Sequence, residues 1–251
     1  MSWDTFQKLW RWGNAISLAG VLQFLVCVAL AMAWYAGGSP FHEQAVGYAF
    51  FANFLSDLGR TVAWSGQANG ASSMVFNSSL IVLAVSQVPF YLFFPLHAED
   101  KVIPLLCAAA LGIVSSFGLA GVGLTPYDLH LRSHIICLLW WIGPLTIALV
   151  LHAWALFSSQ ESSPVFALLS LGLALLLGAY AIRTAAYGAP PMGEMSELAR
   201  TIALQKYAVL GCVGWYGIFS LRMLVLIRPP DQPSAKSLDA AATAYLRQLR
   251  S

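Results

Sequence analysis

The chain has 251 residues, 59% of them hydrophobic and only 10% charged, with a formal net charge of +2 and a mean hydropathy of +0.70. Soluble domains carry roughly a quarter charged residues, so this composition excludes an ordinary soluble globule, and so small a charge offers no basic groove for nucleic acid. What remains is an all-α, polytopic integral membrane bundle, in which each spanning helix needs about 20 mostly apolar residues.

Six stretches reach that length: 13–36, 75–96, 103–124, 134–157, 164–182 and 203–227. The first follows Lys8 and Arg11 and is too long for the apolar core of a cleaved signal peptide, so it is expected to be retained. Between it and the second, segment 42–64 holds "AVGYAFFANFL", about half a span, which runs into Ser56 and Asp57. It reads as an interfacial or re-entrant helix in the first loop, ended at Gly59, with Asp57 and Arg60 as a local pair. In the second span Asn77, Ser78, Ser79 and Gln87 require partners inside the bundle. The third carries Gly112, Ser116 and Ala120 at every fourth position, a stripe that permits close helix approach.

"TPYDLHLRSH" opens the fourth span, with Thr125 expected as N-cap, Pro126 as first helical residue and Asp128 accepting from free N–H groups of the first turn. The fifth span leads to "TAAYGAPPMGEMSELART", in which Ser196 reads as the N-cap of a helix that continues into the sixth. Residues 1–228 thus form a six-helix transmembrane domain. Residues 229–251 form a tail whose "LDAAATAYLRQLR" can make a short amphipathic helix bearing Arg247 and Arg250. Cys27, Cys107, Cys137 and Cys212 all fall in spans without metal-type spacing, as small buried hydrophobes do.

Orientation follows from the Lys and Arg count on either side of the spans. With the N-terminus inside, Lys8, Arg11, Lys101, Arg222, Arg228, Lys236, Arg247 and Arg250 are cytoplasmic, eight against five (Arg60, Arg132, Arg183, Arg200, Lys206) on the other side. Both termini are therefore expected in the cytoplasm, in a prokaryotic plasma membrane. The first loop, the "TPYDLHLRSH" loop and the Glu194–Glu197 region then share the extracytoplasmic side, and charges near a bilayer are costly unless paired or solvated. This makes Ser56, Asp57, Arg60, Asn77, Asp128 and Arg132 candidate ligand-binding residues, the two arginines as fork-shaped anion donors.

His130 and His134, four apart, share a helix face as two ligands of one metal would. Asp57, Asp128 or Glu194 could supply a third ligand of a catalytic zinc. His152 lies too far along the same helix to join them, roughly 27 Å by helix rise, and reads as a satisfied lone histidine. A haem held by His97 with His152, or His42 with His134, lacks an attachment motif.

"NFLSDLGRT", "MVFNSSL" and "GVGLTPYDLHLRSH" resemble, in order and spacing, the bacterial and archaeal membrane family catalogued as domain of unknown function 998, over about residues 13–225. The matching positions are Ser56, Asp57, Gly59, Phe76, Asn77, Pro126, Asp128 and either His130 or His134. The resemblance implies a six-helix membrane fold and, more distantly, kinship with the Frag1/DRAM/Sfk1 group, several members of which are tied to lipid handling. The Ser, Asp and His-x-x-x-His types are also similar to those of the alkaline ceramidase and adiponectin receptor-like hydrolases, which imply zinc-dependent cleavage of lipids. That group carries its histidine pair on the final span, whereas here the pair opens the fourth. The expected function is binding of a membrane lipid headgroup or other amphiphile, or assembly with a membrane-protein partner, without a cofactor. The alternative is a metal-dependent lipid hydrolase with His130, His134 and Asp128 around zinc.

Overall fold

The computed structural model describes residues 3–160, 162–187 and 195–226. Its long helices are α1 (Trp3–Ala33), α2 (Gly70–Leu92), α3 (Val102–Leu124), α4 (Leu131–Ser158), α5 (Pro164–Tyr187) and α6 (Met195–Leu226). Each is long and apolar enough to cross a membrane, which is what an integral membrane protein requires. Among the described residues the remainder is loop, three short 3-10 turns and two isolated β-bridges. The tail 229–251 and Glu194 lie outside the described residues.

Every helix packs against its neighbours in sequence and α6 returns to α1, so the six close into a ring. Most ring contacts are extensive; those that α6 makes with α5 and α1 are the sparsest. Glycine sets the tightest approach. A Cβ on Gly118 would lie 2.3 Å from the Trp141 backbone nitrogen, so α3 and α4 meet main chain to main chain. Gly112 makes room for the Tyr91 ring, 2.1 Å from where its Cβ would be, so part of the small-residue stripe receives a side chain.

Two expectations about local structure need correction. Between His42 and Trp64 the backbone forms one 3-10 turn, Leu55–Gly59, in place of a longer helix. The cause lies in the segment before it, where Gly37, Gly38 and Gly47 adopt positive φ, and a Cβ at Gly38 would sit 2.3 Å from the Ser65 nitrogen. Likewise α4 starts at Leu131 with His130 as its N-cap, not at Pro126. Thr125 instead ends α3, its hydroxyl donating back to the Gly121 carbonyl at 2.7 Å. The Pro126 carbonyl closes a turn by accepting from the His130 N–H, and Asp128 is drawn to a different loop.

Candidate functional site

Call the end that carries loops 34–69 and 125–130 the first-loop end, and the opposite one the terminal end. At the first-loop end the Leu55–Gly59 turn is wholly buried among α2, α6 and the rest of its own loop. Its polar backbone is satisfied by side chains. Ser72 donates to the Leu58 carbonyl, Ser73 and Asn77 to that of Gly59, and Asn69 to those of Leu58 and Arg60. From α6, Gln205 accepts the Leu55 N–H at 2.7 Å, and the Lys206 ammonium donates to the Asn53 carbonyl and the Tyr48 hydroxyl. The turn is thus a buried plug held by hydrogen bonds, which is how irregular backbone inside a helical bundle has its polar groups satisfied.

Asp57 is its centre and is completely buried. One carboxylate oxygen accepts from the Asn53 amide at 3.1 Å and the Phe54 N–H at 2.9 Å. The other oxygen lacks a hydrogen-bond partner, as does the buried Trp64 indole N–H; the indole is close enough to favour the carboxylate's charge but outside bonding geometry. Burial pushes the Asp57 pKa up, against the opposing influence of Trp64, Asn53, Arg60 and Phe54. Arg60 itself lies over Trp64 at 4.3 Å and faces Tyr127 at 5.7 Å. The "TPYDLHLRSH" loop meets the first loop through Asp128, not through Asp57. The Asp128 carboxylate accepts from the Thr61 hydroxyl at 2.6 Å and from the Thr61 and Val62 N–H groups. Burial alone would raise the Asp128 pKa; these donors outweigh it and hold the pKa below the ordinary carboxylate value.

The sequence-predicted residues therefore separate into groups. Asp57, Asn77 and Asp128 bond to the protein's own loops. Ser56 and His134 come together, with Tyr180, Thr184 and Gln205, around a cavity of about 50 Å3 at the first-loop end, room for a few water molecules. His134 is buried, one ring nitrogen bonded to the Thr125 carbonyl at 2.7 Å, whereas His130 and Arg132 are exposed. Among the described residues no three of His, Cys, Asp or Glu converge as metal ligands.

A second polar centre lies at the terminal end, where sequence reasoning set His97 beside His152 only as haem ligands and otherwise read His152 as a lone histidine. His97 and His152 join directly, Nδ1 to Nε2 at 2.9 Å, inside an aromatic cage that includes Phe94, Trp215 and Phe219. Ser170 accepts from the Trp215 indole and donates to the Phe166 carbonyl, which assigns the proton on His152 Nδ1 to the Ser170 bond. His152 Nε2 then accepts from His97. Burial first, then His152 and the Arg222 charge, push the His97 pKa well below its ordinary value, so it stays neutral. The visible signal was two histidines on different elements whose helix registers place both at one end; nothing in their spacing, 55 residues apart, marks a pair.

Between α5 and α6 the ring opens into an apolar groove of about 410 Å3, whose walls include Leu168, Leu176, Trp215, Ile218 and Phe219 and whose floor includes Gly172 and Gly214. A Cβ on either of those glycines would meet nothing within 4 Å. No family model, no characterised protein and no solved structure is significantly similar to this chain. Trp215 links the two regions, since its ring lines the groove while its N–H enters the histidine network.

Proposed function

We propose that the protein is an integral membrane protein that binds a membrane lipid, with an acyl chain lodged in the α5–α6 groove. The groove's volume and apolar lining carry this reading. Membrane helices that pack against one another present small residues on one face so that backbones approach; here the glycines are divided between two helices and leave a trough walled by large side chains. Such a trough fits a flexible chain better than a second helix. The polar cavity at the first-loop end is too small for a headgroup and suits bound water.

The test uses the glycine floor. A Cβ at Gly172 or Gly214 meets no protein atom within 4 Å, so leucine variants there should fold and melt like the native protein yet fill the trough and lose lipid that the native protein retains through detergent purification, read by native mass spectrometry. Undiminished lipid in both variants would overturn the reading. Zinc-dependent hydrolysis at His130 and His134 has no observation in its favour, because His130 is exposed while His134 is buried, and among the described residues no three metal-ligating side chains converge.

A further inference from the structure

We infer that Arg222 anchors the phosphate of an anionic phospholipid whose chain occupies the α5–α6 groove, an inference that rests on the lipid reading above. Arg222 lies on α6 one turn beyond Ile218 and Phe219, both of the groove wall. Its guanidinium stacks over Phe166 at 4.0 Å, and the Phe166 ring meets Phe219 at 5.5 Å. The cation therefore stands where the groove ends, near the terminal end of the bundle.

An arginine near the end of a spanning helix ordinarily reaches for water with its head while its stem covers apolar surface. Arg222 does so only in part: it is half-buried, and its Nη1 is closed off from solvent and has no hydrogen-bond partner among the described residues. Nor does it have a counter-charge among the described residues: the ion pairs there are Lys101–Asp100, Arg183–Glu197 and Arg200–Glu197, and the titratable side chains that feel the Arg222 charge include His97 and His152, neither of them an anion. A half-buried guanidinium without a counter-charge is unfavourable, and the planar fork of its remaining N–H groups matches two oxygens of a phosphate. At the same end Lys8 and Arg11 line a second cleft beside Leu224, two residues past Arg222, so the surroundings favour an anion as well. The groove runs from Leu168 to Leu176, about 12 Å by helix rise, along one side of the seam. A phospholipid at the interface places its phosphate and its chain in this order.

The full chain, purified in mild detergent, would be mixed with equal parts of phosphatidylglycerol, phosphatidylcholine and oleate and examined by native mass spectrometry. The native protein should retain phosphatidylglycerol about tenfold over phosphatidylcholine, whose choline already balances its phosphate. Arg222→Gln should hold the two phospholipids equally, and Arg222→Lys, with charge but no fork, should keep part of the preference. Gly214→Leu should lose both. A preference unchanged in Arg222→Gln, or unchanged in Arg222→Lys should the glutamine variant fail to fold, overturns the anchor; oleate retained ahead of phosphatidylglycerol overturns the phospholipid assignment. Both phospholipids retained by Gly214→Leu would instead refute the groove reading, a failure distinguishable from that of Arg222.

Discussion

Asp57 and Asp128 sit in neighbouring loops and act in opposite ways. The Asp57 carboxyl orders the plug from within. Asp57→Ala leaves the Asn53 amide and the Phe54 N–H without this acceptor, at a cost of about 1–3 kcal/mol for each buried donor left unpaired, whereas exposed Glu43→Ala should leave the detergent melting temperature unchanged. Asp57→Asn keeps an acceptor oxygen and should lose much less. The pH dependence separates the two acids. The folded pKa of Asp57 is raised above 3.8, so its contribution is largest when protonated and declines as pH rises from that value towards the folded pKa; Asp57→Asn removes this decline. The folded pKa of Asp128 is lowered from the same value, so its contribution is full above about pH 4 and is lost as pH falls through the folded pKa. The melting difference between native protein and Asp128→Asn should therefore shrink on acidification below pH 4. A difference that is flat with pH would show that the hydrogen bonds to Thr61 and Val62 do not depend on the charge.

At the scale of helices and turns, glycine and histidine divide into roles that spacing alone does not assign. Gly118→Ala would bring a Cβ to within 2.3 Å of α4 backbone, which cannot move as a side chain can, so α3 and α4 must separate and stability should fall by about 1–3 kcal/mol. Gly143→Ala, with open space around it, should be neutral in the same melting assay. His97→Phe keeps a ring in the cage but leaves His152 Nε2 without its donor; His152→Phe breaks both bonds that His152 makes. A double-mutant cycle between them should give a coupling above 0.5 kcal/mol, and a coupling near zero would show that the bond is incidental. These elements mark the limit of what was legible. Helix number, order and approximate bounds followed from apolar run length, since the bilayer fixes that length. The helix starts at Leu131 and Gly70 did not, because they depend on which carbonyls Thr125 and Asn69 reach. The need of Asn77 for an internal partner was readable from its polarity; that the partner is the Gly59 carbonyl was not, since only tertiary placement brings them together.

For the whole molecule, an even number of spanning helices puts both ends of the described chain on one side, and the Lys and Arg bias expects that side to be cytoplasmic. In intact cells, an impermeant thiol reagent should label Val46→Cys at the first-loop end and spare Leu9→Cys on the first turns of α1, both sites being exposed; the reverse pattern would turn the molecule over and move the Arg222 site to the outer leaflet. The ring also bears on how the chain is made. Chains emerge N-terminus first, and the plug at residues 53–59 is completed by Gln205 and Lys206, about 150 positions later. Throughout translation of α2 to α5 the Leu55 N–H and the Asn53 carbonyl wait for partners not yet synthesised. A chain that stops before α6 should therefore leave the first loop open to cleavage by an added protease within 53–59, whereas the chain with α6 should resist it.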